Sequence, residues 1–182
     1  MSSQNTYFDL PSFVSRYMLE GIEKYHFLQG RRNGDVVTLT NPQCIIYLQN
    51  FGEGIGFKFA AIADPETKFS LSKYLDAFVD GGRQKYCPEP PQGLDLEKQF
   101  VLVLQGYNAV LTSKALAVPL SGDFTWVPNL ISFNVEYEML EGHLFDLIDL
   151  EHPDGLALRK KWSIGDLTWM QDVKRILSEQ GS

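Results

Sequence analysis

Three histidines (His26, His143, His152), two cysteines (Cys44, Cys87) and the closely spaced glycines Gly52, Gly54 and Gly56 are the residues whose types could do chemistry in this chain. Their spacing argues against most of it. A zinc site needs two or more His or Cys ligands brought to one face, as in HExxH. The pairs Glu141-x-His143 and Glu151-His152, even with Asp146, Asp149 and Asp154 nearby, supply no such repeat. No serine sits in a GxSxG elbow, and neither cysteine has a histidine close by in sequence. No catalytic residue, metal ligand or cofactor motif is therefore assigned. The three glycines lie between two strand patterns and no GK[ST] follows them, so they predict a hairpin turn and not a phosphate cradle. His26 ends a helical pattern, where a cation complements the helix dipole.

A run of carboxylates does have an affirmative reading. The 182 residues carry 16 Lys and Arg against 23 Asp and Glu, a net charge of −7. Nearly all of that excess lies in the second half. Between Ala115 and Leu158 there are eight acids (Asp123, Glu136, Glu138, Glu141, Asp146, Asp149, Glu151 and Asp154) and no Lys or Arg. Such a patch repels itself in the free protein and would be relieved by a basic partner, whose encounter it would also speed. The partner-binding residues expected on this ground are Glu136, Glu138, Glu141, Asp146, Asp149 and Glu151. Trp126 is added as an aromatic anchor, because buried aromatics dominate many interfaces. The opposing reading is a solubilising face, the commoner use of acidic runs.

The elements that must position these residues read as α+β. Leu10, Phe13, Val14, Tyr17, Met18, Ile22 and Tyr25 recur at helical steps, with Asp9 as cap and Pro11 in the first turn. Segments 26–32, 35–40, 43–49 and 55–63 read as short strands. The Asn33-Gly34 pair between the first two is a strong hairpin signal. Short connections make the strands antiparallel, giving a three- to four-stranded meander packed against the N-terminal helix. The C-terminal half is mainly helical, with helices over 70–79, 94–116 (where Gly106 is an interruption point), 154–162 and 166–177. Residues 134–150 are ambiguous. Ile131, Phe133, Val135, Tyr137 and Met139 alternate as in a strand, while Tyr137, Leu140, Leu144, Leu147 and Ile148 fit a helix. The expectation is strand first, then helix. Trp169, off the main apolar stripe of its helix, is expected to be the most exposed of the three tryptophans.

A single domain over 1–182 is expected, with a soft boundary in the Gly- and Pro-rich loop 80–93. The 44% hydrophobic and 13% aromatic content excludes disorder. Non-specific nucleic-acid binding is not expected, since Arg31-Arg32 and Arg159-Lys160-Lys161 are too short for a basic stripe. No run reaches the length of a membrane span, and MSSQNTYFDL lacks a leader-peptide pattern. With no CxxC and no glycosylation sequon, a cytoplasmic protein is expected.

The order helix, NGD hairpin, strands ending in FKFAAIADP, second helix, long helix and SGDFTW resembles small acidic bacterial proteins of the toxin-immunity kind. The resemblance covers most of the chain in layout. It implies a cytoplasmic, non-enzymatic inhibitor that binds a cognate toxin domain, which is basic when the toxin is a nuclease. The same opening is also similar to acidic secretion chaperones, which are usually shorter. The alternative class is a small enzyme or ligand-binding protein with its site in a cleft between the meander and the helical half.

Overall fold

A computed structural model describes residues 8–180; residues 1–7, on which part of the leader-peptide reading rests, and residues 181–182 lie outside them. The chain gathers into two compact units, the first formed by the residues up to 71 together with 90–124, the second by 72–89 and 125–182. The loop expected as a soft boundary contains one of the three crossing points, between Glu89 and Pro90.

The first unit contains a five-stranded antiparallel meander in sequence order: β1 (Leu28–Gln29), β2 (Val36–Thr40), β3 (Cys44–Asn50), β4 (Ile55–Ala61) and β5 (Asp64–Ser70). Gly34, at φ +60°, lies in the β1–β2 turn, where Asn33 and Val36 exchange backbone hydrogen bonds. Alternation does the rest. Val37, Leu39, Cys44, Ile46, Leu48, Phe57 and Phe59 face one side and are buried. The β2–β3 turn is held by Asn41, whose Oδ1 accepts the amides of Gln43 and Cys44 at 2.9 and 2.8 Å. β5 was not legible in the sequence: DPETKFS has no alternation and carries Pro65, a residue that sheets tolerate at their edges.

The buried face of the sheet meets α4 (Leu96–Thr112), where Tyr107 stacks edge-on against Phe57 at 5.1 Å and its hydroxyl donates to the Ile55 carbonyl. Asp95 caps α4 by accepting the Lys98 amide at 2.9 Å, and the helix runs through Gly106 without a break. The expected N-terminal helix is instead two, α1 (Leu10–Tyr17) and α2 (Leu19–Lys24), both packed on α4. In the first turn of α2 the Gly21 amide donates to the Asn108 side chain at 2.9 Å. A Cβ on Gly21 would lie 2.6 Å from Leu111 Cβ, so this glycine lets α2 approach α4 closely. The Asp9 side chain makes no cap bond to the backbone of α1 and accepts the Ser12 hydroxyl instead. The unit closes with α5 (Ala117–Leu120).

The second unit is helical: α3 (Leu71–Phe78), a 3₁₀ turn at Gly82–Lys85, α6 (Val127–Asp149), α7 (Gly155–Ser163) and α8 (Thr168–Gln180). Its core joins Tyr137, Leu140, Leu144 and Leu147 of α6 to Leu158 of α7 and to Trp169, Met170, Val173 and Ile176 of α8. Residues 134–150 hold no strand, since α6 is one helix of 23 residues. Trp169 is fully buried, because α8 packs on both α6 and α7 and so buries a wider face than one stripe.

Candidate functional site

α6 organises the second unit by splitting its residues between two faces. Leu130, Tyr137, Leu140, Leu144 and Leu147 face the core. On the opposite side Ile131, Val135, Glu138, Gly142, Asp146 and Asp149 recur at three- and four-residue steps and are all exposed. The N-terminal half of this row is apolar: Ile131 is 57% exposed, Val135 64% and the flanking Met139 55%. The C-terminal half is acidic. Neither Glu138 nor Asp149 meets a Lys or Arg among the described residues, and Asp146 meets only His143, at 4.0 Å.

Gly142 lies between the two halves. A Cβ there would find nothing within 4 Å, so no neighbour in the chain requires a glycine. A glycine in a helix interior costs about 0.5–1 kcal/mol relative to alanine. Its effect on the surface is a shallow notch, between Glu138 and Met139 on one side and Phe145 and Asp146 on the other.

The residues expected to bind a partner therefore separate. Glu138, Asp146 and Asp149 share the outer face of α6. Glu151 is exposed in the turn that follows, at φ +54°. Glu136 is compensated by Lys174 of α8, 2.5 Å away. Trp126 is buried, edge-on to Tyr74 at 4.9 Å and to Phe78 at 5.9 Å, and so holds α3 to the start of α6.

Glu141 turns to the other side of α6, into a cleft of about 360 Å³ that sequence reasoning missed. Lys73 and Asp76 enter it from α3, Arg83 from the 3₁₀ turn, Tyr137 and Glu141 from α6, and Trp162 and Ser163 from α7. The Lys73 ammonium lies 4.1 Å from the Tyr137 ring centroid. Trp162 Nε1 donates to Glu141 Oε1 at 2.8 Å. Asp76, its side chain only 2% exposed, accepts the Arg83 amide at 2.9 Å and has the Arg83 Nε 3.7 Å away. Burial pushes the Asp76 carboxyl above its usual range, opposed by the Arg83 amide, the Arg83 guanidinium and Lys73. Burial, and after it the Glu141 carboxylate, push the Tyr137 phenol up, so at neutral pH it is a hydrogen-bond donor and not a base. The signal for this cleft was faint: four positions (73, 76, 137 and 141) at helical spacing on two elements far apart in sequence.

Among the described residues, no three His, Cys, Asp or Glu side chains converge as metal ligands. Both cysteines are free thiols, and burial pushes each up to about 12. No described helix is long and apolar enough to cross a membrane. No family model matches the sequence, and no curated protein or solved structure matches it.

Proposed function

We propose that this protein is a non-enzymatic protein-binding module of the inhibitor or immunity type, acting in the cytoplasm, which captures a basic partner on the outer face of α6. The observation that carries the reading is the continuous row Ile131, Val135, Glu138, Gly142, Asp146 and Asp149, exposed along its whole length. Isolated exposed apolar side chains are ordinary, but a row of them on one helix face, continued by uncompensated acids, fits an interface with an apolar centre and a polar rim. The apolar half would supply burial, and the acids would steer and orient a cationic surface. Gly142 is compatible with the same reading, since without a side chain it leaves room for a close approach from outside.

The test is capture of a partner from the native host by the full chain, followed by kinetics on the captured protein. The triple variant E138K/D146K/D149K should slow association about tenfold or more and flatten its salt dependence, because rim charges act mainly on the on-rate. Val135→Asp should instead speed dissociation. Unaltered association and salt dependence in the triple variant would make the acids a solvated face and sink the proposal.

A further inference from the structure

The cleft on the inner side of α6 is a separate matter from its outer face. Lys73 points its ammonium over the Tyr137 ring and has no carboxylate within ion-pair range among the described residues. Glu141 uses Oε1 to accept the Trp162 indole, and its second oxygen has no partner among them. Asp76 accepts the Arg83 amide and lies 3.7 Å from Arg83 Nε, and the other guanidinium nitrogens hydrogen-bond no described residue. What remains is an ammonium with no carboxylate in ion-pair range and one half-used carboxylate on the wall of a single small cleft, lined besides by the Tyr137 and Trp162 rings. Charged groups lining a cleft interact more strongly with a bound charge than groups on the open surface do.

We propose that this cleft binds a small zwitterion of the α-amino acid class, its carboxylate on Lys73 and Arg83 and its ammonium on Glu141. A simple anion would meet Glu141 and a simple cation would meet Lys73 and Arg83, so each gains one contact and suffers one repulsion. A molecule with both charges a few bonds apart satisfies both walls. The volume, at the lower end of the roughly 300–1,000 Å³ of ligand pockets, restricts the guest to something small. Tyr137 offers a hydroxyl donor, and the Trp162 ring beside Glu141 suits the cationic end.

The experiment is thermal denaturation and titration calorimetry of the full chain with each of the twenty L-amino acids at about 10 mM. For the best binder, the N-acetyl derivative and the methyl ester, each lacking one charge, are compared with the parent. At least one amino acid should raise Tm by about 2–4 °C at saturating concentration. Both derivatives should bind at least tenfold more weakly than it does. Lys73→Met should weaken the amino acid but not the ester, and Glu141→Gln should weaken the amino acid but not the N-acetyl form. No shift with any amino acid, equal binding of either derivative, or binding unaffected by both substitutions would overturn the proposal. The derivative comparison uses the native chain, so it decides the matter even if a variant fails to fold.

Discussion

Replacing Gly142 with alanine separates the two demands placed on α6. The residue is the sixteenth of 23 in the helix, well inside both ends, and its side is open to water. An added methyl group meets no atom within 4 Å, so it costs no overlap. It also narrows the conformations open to the unfolded chain. Gly142→Ala should then stabilise the free protein by about 0.5–1 kcal/mol, which for a chain of this length is a rise of about 2–4 °C per kcal/mol. Urea unfolding followed by circular dichroism, with thermal melts, measures both. In the complex the sign should reverse: a methyl forced into a close-packed contact costs about 1–3 kcal/mol, or roughly a five- to hundredfold loss of affinity. A variant more stable alone yet weaker with its partner is the expected pair of results. If Gly142→Ala leaves stability unchanged or lowers it, the helix-interior argument is wrong. If it stabilises and the partner binds as before, the notch is not part of the interface.

Gly21→Ala is the contrasting case: its Cβ would lie 2.6 Å from Leu111 Cβ, so a loss of about 1–3 kcal/mol is expected in urea melts, and a neutral result would refute the close approach of α2 to α4. Asn108→Ala leaves the Gly21 amide without its acceptor and should cost about 1–3 kcal/mol; hydrogen exchange at Gly21 should quicken with it. Asp76 is raised in the folded state, so its contribution is full below its ordinary value of 3.8 and is lost as pH rises through the folded value. Asp76→Asn should therefore gain in stability relative to the parent as pH rises above 3.8, and an offset that does not change with pH would contradict the burial argument. With both thiols near 12, only on the order of one in ten thousand is thiolate at pH 8, so an aromatic disulfide reagent should label Cys44 and Cys87 slowly until the chain unfolds.

Much of the fold was legible residue by residue. The strands β2 to β4 declare themselves by alternation, the Asn33-Gly34 turn by its tolerance of positive φ, and α4 by Asp95 at its cap. α6 misled for an instructive reason. Ile131, Val135 and Met139 alternate with Phe133 and Tyr137 as a strand would, yet the first three are left exposed. An apolar residue kept on the surface is indistinguishable in sequence from one bound for the core. The residues that disguised the helix are thus the ones now proposed to meet a partner. The candidate site was legible in its acids and not in its shape: composition marked Glu136, Glu138, Glu141, Asp146 and Asp149 as one group, and the helix divided them among an outer face, an ion pair and a cleft.

Taken alone, the sequence determined the class of the molecule, α+β with an antiparallel meander, and the uneven placement of its negative charge. Those follow from period, turn chemistry and composition, which act over a few residues. Which carboxylate meets Lys174, which accepts from Trp162 and which stays in water was decided only by tertiary structure. A helix turns about 100° per residue, so neighbours in a charge run end on different faces, and the environment of each is set by whichever distant element packs there.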